Sequence, residues 1–522
     1  MSAGTPGLTA QMQLQYYTIS IVYLYSSIVT FHQMNDIINR EQEQAELRGL
    51  LQQKTPQLAL LYGRRRLGKT HLLTHVLPAA ETFYWTAAAT TSSQNREQLV
   101  RDIASWTGHP LESTDYPTWR TVFRLLLELT RAQAIVLDEF QYLGEDPREL
   151  AGVCSELNAA WEQRRPARAL VLVLAGSSVR TLEALDEGGA PLHGRFAWKA
   201  SLQPFNYWYS ARMANFRSIR DRIGAYGVFG GTPRYLDALR PTQSLAENAA
   251  RLMLAPRGEV RGLVETAILQ EQGLREIARY QAIMRSIGNG CTEVNEIAQR
   301  SGLTVDTPLR DKIERLIDLG YVSRTRNLGA KSTSPYRYRI SDPAFAFYYE
   351  FVSHNEAALE RTEPQYFWRH VIEPRFDTYL GHIFERIAEQ AYQWLQPQLR
   401  LPVVSEWGRW EGKDRRGESL EVDIAATLAD GRVMTGAVKW NSKPLDAKWH
   451  FHHLNSLERL AQSGVKWAHA AQADDSPILY LAAGGFSREF TDIARASGSP
   501  LYLWSLKDIF KPRADSARRR RR

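Results

Sequence analysis

Apolar residues in this chain fall into short runs separated by longer segments of mixed polarity. Three runs, Leu58–Tyr62, Ala134–Leu137 and Ala169–Ala175, have the length of buried strands, and Glu81–Trp85 adds a segment rich in aromatic residues and Thr. Continuous apolar runs of this length are typical of parallel strands covered on both faces. Helical patterns stand between them, at about residues 36–51, 93–107, 118–130 and 150–163. The alternation predicts an α/β fold class with a parallel sheet.

A glycine-bounded loop follows the first of these strands and precedes a helical segment. Its residues are Gly63, Arg64, Arg65, Arg66, Leu67, Gly68, Lys69 and Thr70, with His71 opening the helix. Strand, Gly-x-x-x-x-Gly-Lys-Thr and helix is the phosphate-binding loop in its required context, which disfavours a chance match. The two glycines let the backbone approach a phosphate and direct N–H groups at it. Lys69 is expected to reach the β- and γ-phosphates of a bound triphosphate, and Thr70 to place its hydroxyl on Mg²⁺.

Polar residues follow two of the other predicted strands. Asp138 and Glu139 end the run that begins at Ala134, so Asp138 is expected to hold Mg²⁺ and Glu139 to activate the attacking water. Ser177 follows the fourth strand and would lie beside the γ-phosphate. Arg195, further along, is a candidate for stabilising developing charge. The alternatives are a solvated acidic pair, a Ser helix cap and a surface or packing arginine.

Composition and charge narrow the function only slightly. A chain of 522 residues has room for about three domains. Its net charge is +8, but the terminal run Arg518–Arg522 supplies five of the positive charges, so the remainder is mildly basic. This balance permits nucleic-acid binding without requiring it. Cys154 and Cys291 lack metal-ligand spacing, which favours a reducing, cytoplasmic setting.

The first 33 residues differ from the rest of the chain. They contain no Lys, Arg, Asp or Glu, and Ile19–Phe31 is rich in Tyr, Ile, Val and Ser. The segment is shorter than the roughly 20 apolar residues of a membrane span and has no basic leader. A membrane or export segment and a disordered or misassigned extension, with Met34 as the natural start, are both open. We expect no membrane partner.

Taken together, several motifs resemble the archaeal-type P-loop ATPases and their prokaryotic relatives, in the signal-transducing branch of the AAA+-like group. They are Asn39-Arg40-Glu41, Tyr62–Thr70, Leu137–Gln141, Gly176–Ser178, Pro191–Arg195 and Gly230-Gly231-Thr232-Pro233-Arg234-Tyr235. The resemblance implies an ATPase core at residues 34–205 and a helical lid at 206–270. The triple arginine is typical of this family, so it need not mark a special site.

The next segment, residues 271–350, predicts a winged helix-turn-helix, which the relatives also have here. Helical patterns at 279–287, 292–303 and 308–319 precede a predicted hairpin of 321–326 with 336–340. The wing is basic, through Arg324, Arg326, Lys331, Arg337 and Arg339. The third helix carries both charge signs, which weakens the case for base readout. Binding of double-stranded DNA and packing on the ATPase to relay its state are both open.

Residues 351–510 resemble the PD-(D/E)XK nuclease fold often fused to these ATPases. A long helix at 371–395 and two strands joined by a turn at Ala429–Gly431 carry the resemblance, which implies metal-binding roles for Glu385 and Asp423 and a water-positioning role for Lys439. Ala437 replaces the second-strand Glu, so the site is degenerate unless Glu421 compensates. His450, His452 and His453 are expected to cap and line a helix rather than bind metal. The tail, 511–522, is predicted to be disordered and able to bind polyanions.

Three functions follow from these patterns. The first is a Mg-dependent ATP-hydrolysing switch that couples nucleotide state to DNA or partner binding. The second is an ATP-regulated DNA nuclease, and the third is a nucleotide-gated DNA-binding adaptor that does not hydrolyse ATP. A homo-oligomer or a partner protein is compatible with each of them.

Overall fold

The computed structural model describes residues 37–129, 131–164, 169–271, 274 and 276–511. The N-terminal extension at residues 1–33, the proposed start at Met34 and the tail from residue 512 lie outside the described residues. Within the described part, no helix is long and apolar enough to cross a membrane.

The N-terminal domain is built on a five-stranded parallel sheet. Its strands are β1 (Gln57–Tyr62), β2 (Thr82–Thr86), β3 (Ala134–Asp138), β4 (Val171–Gly176) and β5 (Trp198–Ser201). Their order across the sheet is β2-β3-β4-β1-β5. Alternate residues face two separate cores, because Leu58 and Leu60 join one apolar cluster while Ala59 and Leu61 join the other. Both faces are therefore covered, as the continuous apolar runs predict; β5 is an edge strand that the pattern did not predict.

Helices cover both faces of this sheet. They are Glu41–Leu51, Lys69–Val76, Ser92–Thr107, Trp119–Leu127, Pro147–Glu162 and Val179–Glu183. The first begins later than the pattern predicts, at Glu41 rather than Asp36, which lies outside the described residues. Asn39 and Arg40 have φ angles of 67° and 70°, and this left-handed conformation cannot continue into a right-handed helix.

A helical lid follows the sheet. Its helices are Tyr207–Ala214, Ile219–Phe229, Pro233–Asp237, Leu245–Ala249 and Glu259–Ala267. Gly231 allows a close approach of two backbones here: the Phe205 N–H donates to the Gly231 carbonyl at 2.7 Å. A Cβ added at Gly231 would stand 1.9 Å from the Phe205 oxygen. The motif Gly230–Tyr235 therefore holds the lid against the segment that follows β5 and contains Phe205.

Three helices and a hairpin come next, in the arrangement expected of a winged helix-turn-helix. The helices are Ile277–Gly288, Val294–Ser301 and Thr307–Asp318, and the hairpin strands are β6 (Val322–Thr325) and β7 (Arg337–Ile340). The bounds agree with the apolar pattern to within about two residues. Gly320, with φ of 70°, follows the end of the third helix in a left-handed conformation that glycine favours.

The C-terminal domain is a second α/β unit. Short helices (Pro343–Phe347, Glu356–Leu359, Pro364–Phe367) lead into the long helix Glu373–Leu399. The sheet order is β12-β11-β10-β9-β8, formed by β8 (Val404–Lys413), β9 (Ser419–Leu428), β10 (Val433–Lys439), β11 (Ile478–Ala482) and β12 (Leu501–Ser505). Helices Ala447–Gln462, Lys466–Ala470, Arg488–Ala496 and Leu506–Ile509 complete it. β8 is an edge strand.

Gly231→Ala is expected to destabilise the protein by about 1–3 kcal/mol, because the added methyl overlaps the Phe205 carbonyl and forces the two backbones apart. Gly262→Ala is the matched control, since a Cβ there meets nothing within 4 Å and lies within the helix Glu259–Ala267. In that position alanine is neutral or stabilising. Urea unfolding followed by circular dichroism compares the variants, and equal midpoints would contradict the packing of the lid described above.

Candidate nucleotide-binding site

The phosphate-binding loop connects β1 to the helix Lys69–Val76. Gly63 and Gly68 have φ angles of 149° and 87°, which favour glycine. A Cβ on Gly63 would lie 2.6 Å from the Leu202 oxygen, so close packing also excludes a side chain there. The Lys69 ammonium donates to the carbonyls of Gly63 and Arg64 at 2.7 and 3.2 Å. Burial lowers the pKa of Lys69 from its usual value, and Glu139 and Asp138 act against that shift.

Asp138 lies beside Thr70 at the carboxyl ends of β3 and β1. The Thr70 hydroxyl donates to Asp138 Oδ2 at 3.1 Å, and Tyr84 donates to the same oxygen at 2.6 Å. Burial, with the Asp138 carboxylate as a second cause, raises the pKa of Tyr84, so this hydroxyl keeps its proton. A hydroxyl and a carboxylate at one point are oxygen donors of the kind that Mg²⁺ takes in phosphate sites. These residues therefore fit the metal that the sequence predicts.

Glu139 and Ser177 are brought together at the ends of neighbouring strands. The Ser177 hydroxyl donates to Glu139 Oε2 at 2.7 Å, and its backbone N–H does so at 3.3 Å. Gln141 donates to the same carboxylate oxygen. The backbone of Glu139 is left-handed, with φ of 52°, so the side chain leaves the strand direction at a sharp turn. The Glu139 carboxylate is half-buried, and several donors to one of its oxygens give it a defined orientation.

The sequence did not single out Tyr84 or Gln141. Each lies in a segment that was recognised, Tyr84 in the second predicted strand and Gln141 two residues after Glu139. Tyr84 reaches Asp138 because β2 and β3 are adjacent, with Thr86 opposite Asp138. Strand order is a property of the whole sheet, so the apolar pattern of either strand alone could not predict this contact.

The three loop arginines reach three different parts of the protein. Arg64 forms an ion pair with Asp342, with Nη2 and Oδ2 2.7 Å apart. Arg65 donates to the Tyr142 hydroxyl at 2.8 Å. Arg66 donates to the Leu263 carbonyl at 3.0 Å and to Gln270 at 2.9 Å in the lid. Because these side chains are engaged elsewhere, Arg64–Arg66 are expected to meet phosphates through their backbone N–H groups. The family resemblance alone gave the triple arginine no particular role, and the structure adds a separate partner for each of the three side chains.

Arg195 is placed differently from the other predicted residues. It is half-exposed and forms an ion pair with Glu162 at 2.7 Å. This ion pair within the chain agrees with the alternative interpretation of Arg195 as a surface residue. A charge-stabilising role for Arg195 stays a prediction.

The third helix of the winged helix faces the ATPase core. Pro308, Lys312 and Arg315 line a cavity of about 990 Å³ whose other wall includes Gln141 and Arg180. An ion pair of 3.8 Å between Arg180 and Asp318 also crosses this cavity's rim. A helix in this position presents part of its surface to the protein and not to a duplex, which favours the relay interpretation.

The wing is likewise engaged within the protein. Arg337 and Arg339 lie 3.3 and 3.5 Å from Glu411 and Glu385, and Arg324 pairs with Glu314. At the wing tip, the Leu328 N–H donates to the Arg409 carbonyl at 3.0 Å, and the Asn327 amide exchanges hydrogen bonds with the backbone of Glu411. The wing thus covers the edge strand β8, which would otherwise present unpaired backbone groups.

The nuclease-like residues are paired with cations. Asp423 accepts from Lys439 at 2.7 Å and from the Val438 N–H at 2.8 Å. Although burial works in the opposite direction, His382, Arg409 and Arg339 hold the pKa of Glu385 below its usual value. Glu421 pairs with Arg409. Among the residues that the structure describes, no group of three or more His, Cys, Asp or Glu is arranged to hold a metal ion.

Of the three histidines, His450 and His453 line the helix core as predicted, His452 is exposed, and none of them caps the helix. Asp446 caps the helix by accepting from the Lys448 N–H at 3.1 Å. His450 and His453 are buried, and hydrogen bonds join them to Tyr480 at 2.9 Å and Thr435 at 3.0 Å. Burial lowers the pKa of His453 to about 3, so its ring stays neutral.

The sheet order and the convergence of Lys69, Thr70 and Asp138 define a P-loop nucleotide-binding domain. Residues 37–239 match the model of an ATPase domain found predominantly in Archaea. The match confirms the resemblance to archaeal-type ATPases. Residues 348–450 match a model of archaeal and bacterial proteins of unknown function, which includes Glu385, Asp423 and Lys439.

Particular relatives are distant. An uncharacterized protein from Methanocaldococcus jannaschii is 24% identical over 432 residues, which make up 81% of this chain and 92% of that protein. The Walker-type ATPase of Pyrococcus abyssi is 21% identical, with a TM-score of 0.44 over 60% of this chain and 96% of that one. The ORC2 protein of Aeropyrum pernix, in ADPNP–ADP complexes, is 15% identical, with a TM-score of 0.40 over 63% and 96% of the two chains.

Lys439→Met is expected to destabilise the C-terminal domain by about 1–3 kcal/mol. The Asp423 side chain is only 6% exposed, so it would lose its cation without gaining solvent, while the partial exposure of Lys439 moderates the cost. Lys448→Met, at an exposed helical position, is the control and should change stability by under about 0.5 kcal/mol. Thermal unfolding distinguishes them, and an unchanged Lys439→Met protein would contradict the pairing.

Proposed function

We propose that the chain binds MgATP at Gly63–Thr70 and hydrolyses it as a switch, with its nucleotide state passed to the winged helix and the C-terminal domain. The observation that carries this proposal is the meeting of Thr70, Asp138, Glu139 and Ser177 at the ends of three adjacent strands. In an open parallel sheet, the carboxyl ends of the strands form the ligand site.

Each residue has a defined chemical role in this proposal. Backbone N–H groups of the loop and the helix beginning at Lys69 bind phosphate oxygens, and Lys69 gives up its loop carbonyls to reach the phosphates. Thr70 and Asp138 would hold Mg²⁺, which neutralises charge on the transferred phosphoryl group. Glu139 accepts a proton from the attacking water, and Ser177 fixes the Glu139 carboxylate in position.

The contacts of the loop arginines favour a nucleotide-dependent switch over an enzyme that only hydrolyses ATP. The same loop that would hold the phosphates also contacts the lid through Arg66 and the winged helix through Arg64. Any rearrangement of the loop therefore changes contacts in two other parts of the protein. A catalytic loop that served hydrolysis alone would not require these contacts.

Mg-dependent ATP turnover is expected to disappear in two variants for different reasons. Lys69→Ala removes a phosphate contact and should weaken ATP binding, whereas Glu139→Gln should bind ATP and lose about 10²–10⁴-fold in turnover. Phosphate release and ATP binding are measured on the same preparations, with exposed Lys54→Ala as control. Turnover that survives in both site variants would contradict the assignment, and binding without turnover in the unaltered chain would favour the adaptor.

Nucleotide-gated DNA binding is a second candidate, and the basic wing is the observation in its favour. Arg339 and Arg337 are paired with the carboxylates of Glu385 and Glu411. DNA phosphates would therefore have to displace these carboxylates in order to bind the arginines. In the Glu385→Gln, Glu411→Gln double variant, the two freed arginines should steepen the log–log salt dependence of duplex binding by about two. Fluorescence anisotropy with and without ATPγS tests this, and an unchanged slope would exclude the wing.

A nuclease is the third candidate, and the geometry of the C-terminal site does not favour it. Asp423 and Glu385 are each bound by cationic side chains, and Ala437 supplies no ligand. Plasmid incubated with the protein, ATP and Mg²⁺ or Mn²⁺ is therefore expected to stay intact. Cleavage that Asp423→Ala abolishes would contradict this and assign an active metal site.

A further inference from the structure

We infer that Arg64 is a positioning residue that couples the phosphate-binding loop to the winged helix and, through it, to the C-terminal domain. The inference rests on the proposed binding of MgATP to this loop. It deepens that function by naming the contact through which the nucleotide state leaves the ATPase core, the buried ion pair of Arg64 with Asp342.

The pair is enclosed and well oriented. The side chains of Arg64 and Asp342 are 10% and 2% exposed, and Nη2 lies 2.7 Å from Oδ2. The other oxygen of Asp342 accepts the Ala344 N–H at 3.0 Å, so this carboxylate is held at a helix start. The Arg64 guanidinium lies 4.6 Å from the ring centre of Tyr321. Burial works against the charged form, but Asp342 and Tyr321 hold the pKa of Arg64 above its usual value.

The backbone of Arg64 connects the ion pair to the phosphate-binding site, because its carbonyl is a hydrogen-bond partner of Lys69. Lys69 donates to the Arg64 carbonyl at 3.2 Å and to the Gly63 carbonyl at 2.7 Å. Phosphate oxygens compete with these carbonyls for the ammonium. When Lys69 turns to a phosphate, the residue that carries the ion pair loses a hydrogen bond to its own main chain. Loading of the loop therefore acts on Arg64 directly.

A second arrangement of the pair is available. Arg64 Nη1 is buried and has no hydrogen-bond partner within the described residues. Arginine and carboxylate groups bind most strongly through two parallel hydrogen bonds, whereas here one joins them. A small movement of the loop toward Asp342 would convert the single contact into the double one. The present contact thus leaves one donor of the Arg64 guanidinium unused beside Asp342.

The lid is shaped to admit this pair. Gly230 has a positive φ of 64°, and a Cβ there would stand 2.7 Å from Asp342 Oδ1. A side chain at Gly230 would therefore displace the carboxylate. Three separated segments, the loop, the lid glycine and the end of the wing, meet at one buried charge pair.

Strand β7 connects the ion pair to the C-terminal domain. This strand ends at Ile340, two residues before Asp342, and the Arg386 guanidinium of the long C-terminal helix donates to the Ile340 carbonyl at 3.1 Å. Arg339 on the same strand lies 3.5 Å from Glu385, which in turn pairs with Arg409 at 3.1 Å. A displacement of Asp342 therefore moves the strand whose arginine engages the nuclease-like carboxylates.

Hydrogen exchange of the full chain, with and without MgATPγS, tests the coupling. The key variant is the Arg64→Met, Asp342→Asn double variant, which removes both charges and so leaves no unpaired buried ion. The control is the Arg459→Met, Asp414→Asn double variant, which removes a comparable ion pair of 2.6 Å in the C-terminal domain. ATPγS affinity is measured by calorimetry on each protein.

In the unaltered chain and the control, ATPγS should change exchange in residues 321–345 by about fivefold or more. The key variant should lose that response even at ATPγS concentrations that calorimetry shows to be saturating for it. Arg64→Lys keeps the charge without the planar fork and should show a reduced response, which retains a test if the double variant does not fold.

A full response at residues 321–345 in the key variant would overturn the inference. So would an unaltered chain that binds ATPγS without any response there, and in that case the proposed nucleotide binding stands. An unaltered chain that does not bind ATPγS would overturn the proposed function and the coupling together. The affinity measurement therefore separates failure of the coupling from failure of the nucleotide site.

Discussion

The buried ion pair between Arg64 and Asp342 is the contact on which the relation between the parts of this protein depends. Removing two charges from water is costly unless they are closely paired, and this pair brings together residues 278 positions apart in the chain. Replacing either partner alone would leave an isolated charge in the interior. The pair therefore allows few alternative arrangements of the domains. It holds the winged helix against the phosphate-binding loop, which is the proposed site of nucleotide binding.

This constraint also explains why the winged helix is not presented as a free DNA-binding module. The third helix faces the ATPase core across a cavity, and the wing lies on the edge of the C-terminal sheet. Three basic residues of the wing, Arg324, Arg337 and Arg339, pair with carboxylates of the same chain. These three arginines are engaged within the protein, which is consistent with a domain that relays a state between its neighbours.

In the C-terminal domain, the carboxylates that the nuclease resemblance singles out are paired with basic side chains of the same chain. Lys439 and Asp423 keep the positions that the nuclease resemblance implies, yet they form an ion pair with each other. Arg409 lies among Glu385, Glu411 and Glu421. With Ala437 in place of a ligand, these charges stabilise the join between wing and sheet. In this region, acidic and basic side chains pair across the join between the wing and the sheet.

Much of the fold followed from the sequence because its causes are local. Apolar run length and glycine placement predicted β1, β3 and β4, the loop between Gly63 and Thr70, and the helices and hairpin of the winged helix. The pattern missed β5 and extended the first helix through Asn39 and Arg40, where left-handed backbone ends it. It could not show Tyr84 beside Asp138, because strand order is set by packing.

The sequence by itself located the phosphate-binding loop. Glycine, lysine and threonine at fixed spacing within one short segment are enough to define such a loop, so no distant residue is needed to recognise it. Only the tertiary structure decided what the loop arginines do and whether the basic wing is available. Those properties depend on which distant carboxylates, Asp342, Glu385 and Glu411 among them, are brought within a few ångströms. Charge pairing between residues 46 to 278 positions apart is a consequence of packing and leaves no local pattern in the sequence.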